Sequence, residues 1–125
     1  MERSYNIESL QLHDLNFMRT HKWNTLEVIN LNRNMVNNID ILNQYPNLKV
    51  INATNCYIEE VNLKLLKLEH LDLSNNFLKS FPVLANMQKL KVLNLNSNRL
   101  IDLKNMNIDF ISGLKSLDVG NNPTL

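Results

Sequence analysis

The side chains best suited to metal binding or proton transfer are few in this chain. Three histidines, His13, His21 and His70, and one cysteine, Cys56, are the strongest candidates. Zinc sites gather Cys and His ligands at short, regular spacings, and these four residues are not clustered with each other or with close carboxylates. The sequence therefore predicts no metal site and no cofactor.

Signs of nucleophilic catalysis or phosphate binding are equally weak. The only glycines are Gly113 and Gly120, so a glycine-rich loop that cradles phosphate cannot be formed. No position suggests a nucleophile paired with a base. The doublet Glu59-Glu60 is most simply a solvated edge. We therefore expect a protein that is not an enzyme.

The composition narrows the class further. The chain has 125 residues, the size of one domain, and 44% of them are apolar. With 13 basic and 12 acidic residues the net charge is +1, which favours neither nucleic acid nor a membrane surface as a partner. Cys56 stands alone, which is typical of a reducing compartment. The N-terminus MERSYNIESL lacks an apolar signal core, so we expect a cytoplasmic or nuclear location.

A repeat of aliphatic residues covers nearly the whole chain. In LEHLDLSNNFL, residues 68–78, the leucine spacing fits neither the two-residue period of a strand nor the 3.6-residue period of a helix. The same spacing recurs in six copies, which begin near residues 7, 26, 48, 68, 90 and 114. The first copy is the weakest, because Leu15 stands where later copies have asparagine or cysteine.

This pattern, LxxLxLxxN/CxL, resembles the leucine-rich repeat. The frame LxxLxLxxNxLxxFxxLxxMxxL over residues 68–90 is similar to the class of roughly 22 residues named for a yeast regulator of protein phosphatase 1. The resemblance implies an α/β repeat: a right-handed solenoid of about six coils, with a parallel concave sheet and a 3₁₀ or short helical convex side. We expect residues 1–125 to form a single leucine-rich-repeat domain, the N-terminal part of a longer protein.

Asparagines at one repeated position are expected to lie inside the coils. A sharp turn leaves backbone N–H and C=O groups unpaired, and a side-chain amide can bond both kinds. Asn34, Asn76, Asn98 and Asn122 should therefore form an internal ladder. Cys56 takes this position in the third copy, where we interpret it as structural, because cysteine is small and tolerates burial.

Polar residues between the strand leucines should face the concave side. One column of the predicted sheet contains Asn30, Asn52, Asp72 and Asn94, and the next contains Asn32 and Asn96. Two interpretations remain open. The columns are either a hydrogen-bonding floor for the helix or peptide of a partner, or simply strand residues that meet water.

Large apolar residues occupy the position directly after the ladder in three successive copies. Met35, Tyr57 and Phe77 should lie side by side, roughly 5 Å apart, because adjacent strands have that spacing. They form either a contact patch for a partner or a row that packs on itself or on a cap.

These features favour a non-catalytic protein–protein interaction module, a scaffold or regulatory subunit. The predicted partner-binding residues are those of the two columns and of the apolar row. Two alternatives stay open: a ribonucleoprotein component, since the resemblance extends to the A-prime subunit of a spliceosomal particle, and a surface recognition protein similar to the internalins. Self-association through an uncapped end is a further expectation.

Overall fold

The computed structural model describes residues 3–21, 23–106 and 113–125. Within them, six short strands form one parallel sheet. In spatial order these are β1 (Ser4–Asn6), β2 (Val28–Asn30), β3 (Val50–Asn52), β5 (His70–Asp72), β7 (Val92–Asn94) and β8 (Ser116–Asp118). Each strand opens one coil of a solenoid, and we number these coils 1 to 6. The predicted parallel-strand solenoid of leucine-rich-repeat type is confirmed.

The strands pair in register, so equivalent repeat positions are stacked. Ile29 pairs with Ile51, Ile51 with Leu71, and Leu71 with Leu93. These four central residues are at most 1% exposed. One aliphatic column at the centre of the sheet is therefore shared by all the inner coils, and each coil buries its neighbour.

The first coil differs from its predicted register. A copy beginning near residue 7 would place its strand around Leu10, yet β1 lies five residues earlier, with Tyr5 opposite Ile29. Ile7 is 3% exposed in the place that Leu31 holds in coil 2, whereas Leu10 is 58% exposed. The aliphatic frame failed here because an aromatic residue, Tyr5, takes the strand position and packs edge-on against Trp23, with ring centroids 4.6 Å apart. The ladder position of coil 1 is thus Leu10, not Leu15.

The predicted asparagine ladder is confirmed. Asn34, Asn76, Asn98 and Asn122 are 2–8% exposed. In the pattern that all four share, the amide nitrogen donates to one carbonyl of its own coil and to one of the preceding coil, while the oxygen accepts from the preceding coil's backbone N–H. Each amide therefore both closes a turn and joins two coils.

The return segments are only partly helical. Coils 1 and 2 contain the predicted 3₁₀ turns, Asn16–Arg19 and Asp40–Gln44. In coils 3 and 4 the chain is extended instead, and β4 (Asn62–Leu63) pairs in parallel with β6 (Val83–Leu84). Pro82 directly precedes β6, and proline disfavours helical geometry in the residue before it, which explains the extended path in coil 4.

Within residues 3–21, 23–106 and 113–125, no helix is long and apolar enough to span a bilayer.

Candidate functional site

The predicted concave columns are brought together by the strand register. Asn30 pairs with Asn52, Asn52 with Asp72, and Asp72 with Asn94, so these side chains project from adjacent strands at one level of the sheet. All four are half-buried. Adjacent strands are about 4.8 Å apart, so the four cover roughly 14 Å across the sheet.

Part of the hydrogen-bonding capacity of this floor is used by the protein itself. The oxygens of Asn30, Asp72 and Asn94 each accept a hydrogen bond from the backbone N–H two residues later, at 2.9–3.0 Å. Such bonds shape the turn that follows each strand, as Asn and Asp side chains commonly do. The spacing of the leucines does not predict them. The side chains are thereby held in fixed orientations. Neither the amide NH₂ of Asn94 nor the second carboxylate oxygen of Asp72 takes part in these bonds.

The next column also links neighbouring coils. The oxygen of Asn32 accepts the backbone N–H of Thr54 at 2.8 Å, and the amide of Asn96 donates to Asp118 at 3.1 Å. At Asp118 the backbone N–H of Gly120 lowers the pKa of the carboxyl below its usual value, and the bond from Asn96 lowers it further. Both predicted column residues therefore face neighbouring coils as well as solvent.

The apolar row after the ladder is exposed. Met35 is 37% exposed and Tyr57 49% exposed, while Phe77 is half-buried. The rings of Tyr57 and Phe77 are 5.4 Å apart and inclined at 44°, and the guanidinium of Arg99 lies 4.2 Å from the centre of the Phe77 ring. Tyr57, Phe77 and Arg99 form one ridge across coils 3 to 5, which we call the aromatic ridge.

The backbone at Tyr57 is unusual. Its φ of 59° lies in the left-handed region, which bulky residues seldom adopt. The equivalent residue in coil 1, Gln11, has a φ of 58°, whereas those of the coils with a ladder asparagine have no positive φ. Coils 1 and 3 carry Leu10 and Cys56 at the ladder position. The loss of the turn-closing amide therefore coincides with a left-handed residue directly after it.

Cys56 fills the core of this exceptional turn. Its sulfur lies 3.2 Å from the carbonyl oxygen of Leu31 and is 0% exposed. Burial raises the pKa of the thiol, although backbone hydrogen bonds at Asn34 and Arg33 act in the opposite direction. A buried thiol with a raised pKa is a poor nucleophile and a poor metal ligand. In the described part of the chain, no three His, Cys, Asp or Glu side chains are placed to hold a metal ion together.

Arg99 is the member of the ridge that was missing from the predicted set of binding residues. Arg99 occupies the same repeat position as Met35, Tyr57 and Phe77 in the next coil, so the repeat spacing alone could have predicted that it joins this row. The predicted row contained only large apolar residues, whereas the Arg99 cation extends the same surface by lying over the Phe77 ring.

Comparison with known proteins agrees with this architecture. A family model described as "Leucine Rich repeats (2 copies)" matches residues 66–112. An adenylate cyclase of Schizosaccharomyces pombe is 38% identical over 84 residues, which cover 63% of this chain. The chain spans only 5% of the length of that relative. Together with the parallel solenoid and its asparagine ladder, these matches support a leucine-rich-repeat protein.

Proposed function

We propose that this protein is a non-catalytic interaction module that binds a partner protein across its concave face and onto the aromatic ridge. Leucine-rich-repeat domains generally mediate protein–protein interaction. The observation that carries the proposal for this chain is the contact between Tyr57 and Phe77 at the protein surface. Tyr57 remains 49% exposed even though its ring touches its neighbour.

The two parts of the surface have different roles in this proposal. Aromatic anchors commonly dominate the energy of an interface, and truncation of such an anchor costs about 2 kcal/mol or more. A hydrogen bond to the polar floor replaces one to water, so its net gain is only about 0.5–1.5 kcal/mol. The ridge would therefore supply affinity and the floor specificity. Because the floor oxygens are fixed by backbone N–H groups, little side-chain entropy is lost when the partner's helix or peptide docks.

The proposal extends to location but not to catalysis. The free thiol of Cys56 supports a reducing cytoplasm or nucleus as the site of action. Cyclase activity is not part of the proposal, because the similarity to the Schizosaccharomyces pombe protein covers so little of that protein.

The test is quantitative affinity capture with the wild-type chain and with a double variant, Tyr57→Ala with Phe77→Ala. A partner that uses the ridge should be lost from the variant, while circular dichroism shows an intact fold. The matched control is Leu10→Ala with Leu66→Ala, since these leucines are 58% and 55% exposed and lie outside the ridge. Partners retained equally by all three proteins, or an unfolded double variant, would contradict a binding role for the ridge.

The floor needs a different substitution. Truncating Asn94 would also remove the bond to the Asn96 N–H, so alanine would confuse recognition with turn stability. Asn94→Asp keeps that acceptor and removes the NH₂ donor, and it also adds a negative charge between Asp72 and Asp118 on the adjacent strands. For the partner identified by capture, it should weaken binding modestly, as measured by calorimetry.

A further inference from the structure

The return side of coils 2 to 5 contains an open groove with a volume of about 870 Å³. It lies just beyond the turns, on the far side of the aromatic ridge from the concave sheet. Phe77 and Arg99 border it, and Val83, which is 40% exposed, adds an apolar patch to its wall. The groove is thus distinct from the concave surface, although the two share an edge.

The charged residues of this groove are sorted by coil. Asp40 belongs to coil 2, and Glu59 and Glu60 to coil 3. Lys79 belongs to coil 4 and Arg99 to coil 5. One end of the groove is therefore acidic and the other basic, even though the whole chain has a net charge of only +1.

No ion pair between described residues joins these charges to one another. The ion pairs between described residues join Arg33 to Glu8, Lys49 to Glu27, Lys91 to Glu69, and Lys104 to Asp102. None of the five charged groove residues takes part in an ion pair with another described residue. Elsewhere in the solenoid opposite charges on adjacent coils do pair, as Glu27 and Lys49 do. Glu59 and Lys79 hold equivalent positions in adjacent coils but form no ion pair.

We propose that this groove binds an extended peptide segment of a partner protein, with a basic residue at the acidic end, an acidic residue at the basic end and an apolar residue between them. Charge complementarity sets the two ends, and Phe77 and Val83 supply the apolar contact. From coil 3, which carries Glu59 and Glu60, to coil 5, which carries Arg99, the distance is about 10 Å at the usual strand spacing. An extended chain advances about 3.3 Å per residue, so the two charged residues of the peptide are separated by about three positions.

This interaction goes beyond the proposed function, because Asp40, Glu59, Glu60 and Lys79 lie outside both the concave face and the aromatic ridge. Phe77 and Arg99 belong to both surfaces. Tyr57 belongs to the aromatic ridge but does not line the groove, so a substitution of Tyr57 distinguishes binding on the ridge from binding in the groove. A peptide bound in the groove should be insensitive to Tyr57→Ala, whereas a partner on the aromatic ridge should not be.

The experiment begins with selection of a random displayed-peptide library on the immobilised wild-type chain. Enriched peptides should carry basic and acidic residues about three positions apart with an aliphatic or aromatic residue between them. One such peptide is then measured by fluorescence anisotropy against two variants, Glu59→Lys with Glu60→Lys and Lys79→Glu with Arg99→Glu. Each variant places like charges in contact with the peptide, so affinity should fall about tenfold or more.

Two further measurements make the result specific. The control variant Lys64→Glu with Lys67→Glu makes the same change in charge as Lys79→Glu with Arg99→Glu, but outside the groove lining, and should leave binding unchanged. The variant that combines all four groove reversals should bind a peptide whose acidic and basic residues are exchanged, and should do so better than the wild type. Enriched peptides without the charge pattern, an equal loss with the control, failure of the exchanged peptide, or no enrichment at all would overturn the proposal.

Discussion

Replacement of Asn76 by alanine tests whether the ladder stabilises the solenoid. The amide nitrogen donates to Ala53 O and Leu73 O at 2.8 and 2.9 Å, and the oxygen accepts from the N–H groups of Cys56 and Ile58 at 2.9 and 3.0 Å. Each bond contributes about 0.5–1.5 kcal/mol net, so four bonds are together worth about 2–6 kcal/mol. Because water can enter the polar space left behind, we expect a loss near the lower end, about 2–4 kcal/mol.

The matched control is the preceding residue. Asn75 is exposed, but its φ is 57°, so alanine there would add backbone strain of its own. Asn75→Gly avoids this, since glycine adopts positive φ without steric penalty, and it should change the free energy of unfolding by no more than about 0.5 kcal/mol. Asn76→Cys should lie between the two, because a thiol keeps a weak donor and loses the acceptor.

Urea unfolding, followed by circular dichroism and by the fluorescence of Trp23, gives the free energies. The slope against urea concentration should be unchanged, which would show that stability and not compactness was altered. A change below about 0.5 kcal/mol for Asn76→Ala, or equal changes for Asn76→Ala and Asn75→Gly, would refute the structural role of the ladder.

Three shorter predictions concern the thiol, the left-handed turn and the end of the solenoid. Cys56 is buried, so the folded protein should resist alkylation by iodoacetamide. Burial also raises the pKa of the thiol, so the free energy of unfolding should fall as pH rises from about 9 towards the raised pKa. In Cys56→Ala the free energy of unfolding should depend less on pH over that range. Tyr57→Asn and Tyr57→Val both remove the ring, but valine tolerates a φ of 59° poorly and should be less stable by about 1 kcal/mol; equal melting temperatures would contradict this strain. Leu117 is 37% exposed at the outer edge of β8, so we expect the protein to self-associate through this strand. The sedimentation coefficient should then rise with protein concentration, and Leu117→Glu should suppress that rise. A constant coefficient in the wild type would argue against self-association.

The buried frame was predictable because the repeat spacing is set by which residues must face inward. Leu68, Leu71, Leu73 and Leu78 are at most 1% exposed, as their recurrence implied. The ladder was predictable for the same reason, since a polar residue at a buried repeat position needs fixed partners. At the N-terminus the same logic failed, because Tyr5 is not aliphatic and the search moved to the next leucines downstream.

Features that depend on contact between particular coils could not be obtained from spacing alone. The pairing of β4 with β6 needs two neighbouring return segments to be extended together. The placement of Arg99 over Phe77 depends on the side-chain paths of two coils. The separation of charge in the groove becomes visible only when residues about 20 positions apart are stacked side by side, as in leucine-rich repeats generally. The sequence contains all of these residues, but which of them lie next to each other is determined by the stacking of the coils.

The candidate ridge begins where the ladder is interrupted, and this coincidence has a physical basis. In coil 2 the N–H of Met35 donates to Leu12 O, and in coil 4 the N–H of Phe77 donates to Ile58 O. The equivalent acceptor for Tyr57 would be Val36 O, which instead accepts the N–H of Asn38 at 2.5 Å.

The turn of coil 3 therefore lacks the backbone hydrogen bond to the preceding coil that the turns of coils 2 and 4 form at this position. A φ of 59° at a tyrosine costs about 1–3 kcal/mol unless the surrounding contacts maintain it. The fold does not require this cost, because asparagine at position 56 would supply the same amide that Asn76 and Asn98 supply in the following coils. Strained residues of this kind concentrate at binding sites. The thiol of Cys56 in place of an amide and the ring of Tyr57 against Phe77 form one local departure from the repeat. If the ridge binds a partner as we propose, this departure places the aromatic contact at the binding surface.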